Sequence, residues 1–215
     1  MISVITGDII NSRSALDQNL WLQPLKEALT FVTKDTSKYE IYRGDSFQLE
    51  VEDIKTSFTK AIYLKACIKA IKGFDVRLAI GIGDTTYRAQ HISESNGTAY
   101  LNSGEMLDSM KKTKINLRIK SDFRILPPTY NFDKIFNLYF RFASVIMDHW
   151  TVNSAEAVKL LIETDYGHQK VIAEKIGINQ DAVSKRLTRA NIDEILELNE
   201  LYEDHINKLT YKNQS

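Results

Sequence analysis

Two Gly-Asp pairs, each beside a strand-like run, constrain the fold of this chain most. Gly7-Asp8 follows the apolar, β-branched run 2–6, and Gly44-Asp45 separates the runs 39–43 and 46–51. A tight Gly-Asp turn between two such runs predicts a β-hairpin. The first run predicts a central strand that is buried on both faces, after which Gly7-Asp8 turns the chain. Both aspartates would then stand at strand ends.

The segments around these pairs predict an α+β domain. Apolar residues recur at helical spacing within 16–32 and 54–71, and 75–83 alternates as a further buried strand. The resulting order is βαββαβ, followed by a short helix at 97–110 and a strand at 115–120. Each amphipathic helix needs an apolar surface to cover, so we expect a ferredoxin-like sheet with its helices on one face.

The adjacent prolines Pro127 and Pro128 mark the clearest break, because they continue neither a helix nor a central strand. They predict a boundary between a domain at 1–126 and an all-α domain at 127–215. Helical patterns in the second domain cover 132–150, 154–164, 169–189 and 192–209. Its expected aromatic core consists of Tyr139, Phe140, Phe142 and Trp150.

Composition narrows the class of protein. The 215 residues are 43 % apolar and 26 % charged, which is ordinary for a globular protein, and the formal net charge is zero. Any contact with nucleic acid must therefore come from a local basic patch. Cys67, the only cysteine, lies in an apolar helical pattern and is expected in the core. With no secretory leader and no bilayer-length apolar stretch, we expect a cytoplasmic protein without a membrane partner.

The two aspartates suggest a site for a metal ion and a nucleotide. Phosphoryl chemistry on a nucleoside triphosphate needs a divalent cation, and Asp8 and Asp45 are candidate ligands of Mg²⁺ or Mn²⁺. Backbone amides after Gly7 would face phosphate oxygens if a helix starts soon afterwards. The candidate nucleotide-binding residues are Gly7, Ile9, Asn11, Arg43 and Gly44. The alternative is that both aspartates are simple turn residues, and spacing leaves the two interpretations open.

The order of elements, with Asp8 after the first strand and the hairpin motif 44–47, resembles the catalytic domain of class III nucleotidyl cyclases. The hairpin is also similar to that of diguanylate cyclases. In both families the matching aspartates bind Mg²⁺ or Mn²⁺, so the resemblance implies this role for Asp8 and Asp45. It covers about 1–120, and it implies a homodimer because class III cyclases usually complete their sites between subunits.

Three motifs, 7–9, 11–12 and 44–48, together with the helical segment near the C-terminus, make the whole chain resemble the SatD-like family of bacterial proteins. Members of that family combine a Gly-Asp-Ile opening with a Gly-Asp-x-Phe-Gln hairpin and a DNA-binding-like C-terminal segment. The resemblance therefore implies two functional parts in one chain.

The chain also departs from the cyclase pattern. Asn102 can take the role of the asparagine that stabilises the transition state, but Met106 stands where an arginine is expected. A thioether cannot offset phosphate charge, and loss of one such donor typically costs about 10²- to 10³-fold in rate. Arg43, Arg77 and Arg88 are candidate substitutes. The departures indicate a degenerate domain that binds a nucleotide without turning it over.

The segment 167–190 predicts a helix-turn-helix like that of many bacterial regulators. A first helix at 169–176 ends at Gly177, and Asn179 is a suitable N-cap for the second helix. The segment between Tyr166 and Ile192 contains five basic and two acidic residues, so it is locally positive. The residues expected to contact DNA are Gln180, Asp181, Ser184, Lys185, Thr188 and Arg189. The alternative is a helical hairpin used for packing or dimer contacts.

Together these features predict a transcriptional regulator whose partners are DNA, a nucleotide and a second copy of the chain. One alternative is an active metal-dependent nucleotidyl cyclase with a C-terminal interaction module. Another is a DNA-binding protein whose N-terminal domain only dimerises.

Overall fold

A computed structural model describes residues 1–15, 17–42, 44–123 and 131–212. Over these residues the protein is mixed α+β, with one five-stranded sheet and eight α-helices. The strands are β1 Ile2–Ile10, β2 Tyr39–Tyr42, β3 Ser46–Val51, β4 Asp75–Gly83 and β5 Leu117–Ser121. The helices are α1 Asn19–Thr33, α2 Ser57–Lys69, α3 Thr98–Met110, α4 Phe132–Asp148, α5 Val152–Glu163, α6 Gln169–Ile176, α7 Gln180–Arg189 and α8 Ile192–Lys212.

The sheet has the strand order β2-β3-β1-β4-β5. Strand β1 lies at its centre and runs antiparallel to both β3 and β4, while β5 pairs parallel to β4. The predicted hairpin is confirmed as the antiparallel pair β2–β3, and Gly44 in its turn has a φ of 86°. A positive φ of this size favours glycine because a Cβ would be strained there.

The expected turn at Gly7-Asp8 is wrong, because β1 continues to Ile10 and pairs with a strand on each side. Gly7 lies opposite Phe47 on β3, and a Cβ on Gly7 would come within 2.5 Å of the Phe47 ring. The glycine therefore makes room for an aromatic ring of the core.

The two helices of the βαββαβ segment, α1 and α2, cover the same face of the sheet. Helix α3, which follows that segment, packs on the other face, where Thr6 donates a hydrogen bond to Ser103 at 2.8 Å. Close approach of α3 explains a glycine on β4, because a Cβ on Gly81 would lie 2.2 Å from the carbonyl oxygen of Ala99.

Helix α2 is buried on nearly all sides because the C-terminal helices pack on it. One continuous apolar cluster extends from Ile5 on β1 to Leu209 on α8 and includes the buried thiol of Cys67. Cys67 is 4 % exposed, which confirms it as a core residue, and burial raises the pKa of its thiol to about 12. The domain boundary at 126 lies outside the described residues and stays a prediction.

The expected aromatic core of the helical segment is only partly observed. Phe140 and Trp150 are buried, and the Trp150 ring nitrogen donates to the carbonyl oxygen of Ala190 at 2.8 Å. Tyr139 is half-buried against the same cluster. Phe142 was expected in the core, but 64 % of it is exposed. The face of α4 that carries Phe142 points away from the sheet, so helical spacing alone assigned it to the wrong side.

Candidate functional site

Asp8 and Asp45 come together where β1 passes the β2–β3 turn. Asp8 pairs in register with Ser46 of β3, the residue that follows Asp45. The backbone N–H of Ile9 donates to the carbonyl oxygen of Asp45 at 3.0 Å, which holds the turn against β1. The Ser12 hydroxyl donates to Asp45 Oδ2 at 2.6 Å. The sheet register thus brings together two carboxylates that are 37 positions apart in the chain.

Arg77 faces Asp8 from the other neighbouring strand. The two residues pair across β1 and β4, and Arg77 Nη1 donates to Asp8 Oδ2 at 2.8 Å. The second oxygen of Asp8, Oδ1, is buried and has no hydrogen-bond partner among the described residues. A buried acceptor without a protein partner is costly in a native fold, so a further donor or a cation would fit at this oxygen.

The electrostatics of Asp8 reflect this partly enclosed position. Burial raises the pKa of Asp8 above its ordinary value, and the nearby negative charge of Asp45 raises it further. The positive charges of Arg77 and Lys111 act in the opposite direction but do not cancel the effect of burial. The two carboxylates are therefore close enough to interact, and a cation between them would relieve both burial and repulsion.

Lys111 is not among the residues that the sequence predicts at this site. It follows the last turn of α3, where its side chain pairs with Asp108 at 2.9 Å and is 44 % exposed. Its positive charge nevertheless lowers the pKa of Asp8. No local pattern reveals this proximity, because it arises from the packing of α3 across β1 and β4.

The predicted nucleotide-binding residues are distributed unevenly around the aspartates. Gly44 is exposed in the hairpin turn beside Asp45. Asn11, with a φ of 68°, uses its side-chain amide to donate to the carbonyl oxygen of Gly73 at 2.9 Å. Gly7 and Ile9 face the core on the opposite side of the sheet from Asp8, so only their backbone atoms remain near the site. Arg43 lies outside the described residues.

Asn102 is not brought together with the aspartates. Its amide nitrogen donates to the carbonyl oxygen of Ile82 and to Asp122, each at 3.0 Å, and the residue is buried. Ile82 pairs with Ser3, five residues from Asp8 along β1, which corresponds to about 17 Å. Within one chain Asn102 therefore holds α3 against the sheet, and its catalytic role stays a prediction.

A divalent cation at this site would have few protein ligands. Among the described residues no group of three histidine, cysteine, aspartate or glutamate side chains is arranged to hold a metal ion. Mg²⁺ is often held by one or two carboxylates, with waters and phosphate oxygens completing its octahedron. Asp8 and Asp45, with an unpartnered oxygen on Asp8, fit that donor set and not an all-protein cage.

Helices α6 and α7 form a second candidate site. They are joined by residues 177–179, where Gly177 has a φ of 70° and the Asn179 side chain accepts from the backbone N–H of Ala182 at 2.8 Å. Val183 and Leu187 are buried, and Arg186 binds Glu156 of α5 at 2.8 Å. Of the predicted DNA contacts, Ser184 is half-buried, and the exposed ones are Gln180, Asp181, Lys185, Thr188 and Arg189.

A cleft with a volume of about 860 Å³ lies between α2 and α8, away from both sites. Its wall includes Phe31, Tyr63, Tyr166 and Leu196, and neither aspartate lines it. This cleft therefore does not coincide with the place where the charged groups converge.

The fold and the paired carboxylates define a mixed α+β protein with a charged site at the centre of its sheet. The family model described as the SatD family matches residues 1–201, so the chain belongs to the SatD family. Neither the curated proteins nor the solved structures contain a match. None of the described helices is both long and apolar enough to span a bilayer.

Proposed function

We propose that this protein is a DNA-binding transcriptional regulator whose sheet carries a degenerate, cyclase-like site for a divalent cation and a nucleotide. The observation that carries the proposal is the convergence of Asp8 and Asp45 beside Arg77. Two carboxylates suit a magnesium or manganese ion, and an arginine suits a phosphate group. A metal-bound nucleoside triphosphate combines both requirements.

We infer that β1, α1, β2, β3, α2 and β4 form a ferredoxin-like unit of the nucleotidyl cyclase type. The partial strand order β2-β3-β1-β4 supports this, as does the antiparallel pairing of all three neighbouring pairs. In this unit Asp8 and Asp45 would hold the cation, which when bound would neutralise phosphate charge. The chain's own contribution is to orient the phosphates through Arg77 and Lys111.

The proposal favours binding without turnover. Met106, where the cyclase pattern expects an arginine, packs half-buried against a small apolar cluster beside Leu107 and Met110. Asn102 already uses its amide to bind Ile82 and Asp122. Within one chain Asn102 is therefore engaged away from the aspartates, and the thioether of Met106 offers no donor for phosphate charge. A site that retains its metal ligands and loses these groups is suited to sensing a nucleotide.

We propose that α6 and α7 form a helix-turn-helix and that α7 is its recognition helix. The Gly177 turn, the Asn179 cap and the buried pair Val183 and Leu187 support this geometry. The opposite face of α7 carries exposed amide, hydroxyl and basic groups, which are the types that contact base edges and phosphates. Nucleotide binding would alter the geometry of a homodimer and hence the spacing of its two recognition helices.

Calorimetry with ATP and GTP, each with Mg²⁺ or Mn²⁺, tests the metal site. We expect metal-dependent binding by the wild type that is lost in Asp8→Ala and in Asp45→Ala. Asp84→Ala is the matched control, because Asp84 is exposed at the far end of β4. Absence of binding in the wild type would leave a domain that only dimerises. DNA affinity that is unchanged by nucleotide would reject the coupling.

A second candidate function is an active nucleotidyl cyclase with a C-terminal interaction module. Arg77 favours it, because its Nη1 lies 2.8 Å from Asp8 and brings a guanidinium to the site despite Met106. Chromatography of the same mixtures distinguishes the two. Formation of a cyclic or linear nucleotide product that disappears in Asp8→Ala would establish the enzyme, and binding without product would establish the sensor.

A further inference from the structure

The cleft between α2 and α8 has the size of a small-molecule site. Its volume of about 860 Å³ falls within the usual range for ligand pockets. Its lining comes from α1 and α2, which cover the sheet, and from α5, α8 and the segment between α5 and α6. An occupant would therefore touch both the helices of the sheet and the C-terminal helices.

Aromatic rings line the apolar part of this cleft. Phe31 on α1 is 43 % exposed, and its ring packs on that of Tyr63 on α2 with 4.7 Å between the ring centroids. Tyr166 is 44 % exposed, while Ile162 and Leu196 are half-buried. Exposed rings offer flat apolar contact to the ring of a ligand, and their faces attract cations.

The segment between α5 and α6 holds Tyr166 at the cleft in an unusual backbone conformation. Asp165 and Tyr166 have φ angles of 51° and 58°, which residues other than glycine rarely adopt. The backbone N–H of Tyr166 donates to the carbonyl oxygen of Leu161 at 2.8 Å, which maintains this conformation. Backbone strain of this kind clusters at ligand sites, and here it places a ring on the lining of the cleft.

Carboxylates form the polar part of the cleft. Asp165 and Glu200 line it, are exposed and have no ion-pair partner within the part of the chain that the structure describes. Glu203 also lines it and is fixed by two hydrogen bonds in series. The Thr59 hydroxyl donates to Asn199 Oδ1 at 2.9 Å, and Asn199 Nδ2 donates to Glu203 Oε1 at 2.7 Å. One carboxylate is thus oriented before any ligand binds.

Two lysines also line the cleft, but they do not reverse its charge. Lys60 Nζ donates to a backbone carbonyl oxygen of α1 at 2.7 Å, and burial lowers the pKa of Lys60. Lys34 follows the last residue of α1 and is exposed. The pKa of Tyr166 is raised by burial and then by the negative charges of Glu203 and Asp165, so the charges that act on this ring are negative.

We propose that this cleft binds an arylalkylamine, a small organic cation in which a short chain joins an aromatic ring to an ammonium group. The ammonium group pairs with Glu203 and Glu200, and the ring lies against Phe31 and Tyr166. This site is separate from the two aspartates of the sheet, neither of which lines the cleft. An anion of the same shape is disfavoured, because the same carboxylates repel it.

Calorimetry of the full chain with tryptamine and with indole-3-propionate tests the charge preference. The two probes share an indole ring and carry opposite charges. Tryptamine should bind at least about tenfold more tightly, which is typical of a charge-assisted hydrogen bond. The mixtures contain no nucleotide, metal ion or DNA, so the result does not depend on the proposed function. No binding of tryptamine up to several millimolar, or equal or tighter binding of the anion, would overturn the proposal.

Two matched double variants test the location of the site. Glu200→Gln with Glu203→Gln removes two carboxylates from the cleft, whereas Glu194→Gln with Glu197→Gln removes two exposed carboxylates of α8 that do not line it. The first variant should weaken tryptamine binding about tenfold or more, and the second less than about twofold. Both change the net charge equally, and circular dichroism checks that each folds. Equal losses in the two variants would refute the site.

Discussion

Burial and three neighbouring charges, those of Arg77, Lys111 and Asp45, determine the pKa of Asp8. Its carboxylate lies between β3 and β4 with only 17 % of the side chain exposed, and one of its oxygens lacks a partner among the described residues. The pKa of Asp8 is raised because the charged form is poorly hydrated. In the folded chain this carboxyl keeps its proton to a higher pH than in the unfolded chain, so its ionisation lowers stability as the pH rises.

The pKa of Asp8 is raised. As the pH is lowered, Mn²⁺ binding should therefore begin to weaken at a higher pH than it would for two aspartates with ordinary pKa values. Protons and the cation compete for Asp8, so affinity should fall as the pH is lowered from about 7.5 toward about 5, still above the ordinary carboxyl pKa. Arg77→Gln should move this fall to higher pH, because Arg77 lowers the pKa of Asp8. Calorimetric titration with Mn²⁺ across this pH range measures the affinity of the wild type and of Arg77→Gln. Affinity that stays constant down to about pH 4.5 would contradict the role of Asp8.

At the scale of elements, α7 has a buried apolar side and an exposed polar side. The ion pair between Arg186 and Glu156, at 2.8 Å, fixes α7 against α5. Arg186 is therefore part of the packing, whereas Lys185 and Arg189 remain exposed. Local sequence was sufficient here, because the Gly177 turn and the Asn179 cap act within a few residues.

Replacement of the exposed basic residues of α7 should weaken DNA binding. In Lys185→Ala with Arg189→Ala, the loss of two phosphate contacts should reduce the slope of log affinity against log salt by about two. Fluorescence anisotropy with a pool of random-sequence duplexes measures the slope. Lys72→Ala, at an exposed position before β4, is the control. An unchanged slope would favour the alternative in which this hairpin serves packing or dimer contacts.

At the scale of the whole molecule, the helical segment and the sheet share one core and a buried ionic network. Lys65 on α2 is almost completely buried and binds both Asp148, at the end of α4, and Asp75, at the start of β4, the latter at 2.6 Å. Lys69 donates to the backbone of Asp148 at 2.7 Å. These contacts join the two parts that the sequence assigns to separate domains.

Removal of Lys65 should destabilise the whole chain. Lys65→Met leaves two carboxylates without their shared cation, and breaking a buried pair in this way costs about 3–5 kcal/mol. Urea unfolding, followed by fluorescence and by circular dichroism, measures the loss and shows whether both signals change together. Lys72→Met is the control. A loss below about 1 kcal/mol, typical of an exposed ion pair, would contradict this account of the network.

The hairpin around Gly44-Asp45, strand β4 and helices α6 and α7 were predictable, because turn residues, alternation and caps act over short distances. The turn predicted at Gly7-Asp8 was wrong because that prediction also rested on short-range preferences alone. Gly-Asp favours a turn locally, but pairing with two strands and the ring of Phe47 keep Gly7 within β1. Phe142 shows the same limit, since helical spacing groups residues on a face without telling which face is covered.

The amino-acid sequence by itself determined the α+β class, most of the elements and membership of the SatD family, all of which follow from local patterns and short motifs. Only the tertiary structure decided that α3 covers the second face of the sheet, that Arg77 and Lys111 act on Asp8, and that the C-terminal helices pack on α2. Those contacts join residues far apart in the chain, and burial and charge depend on every element that packs around them.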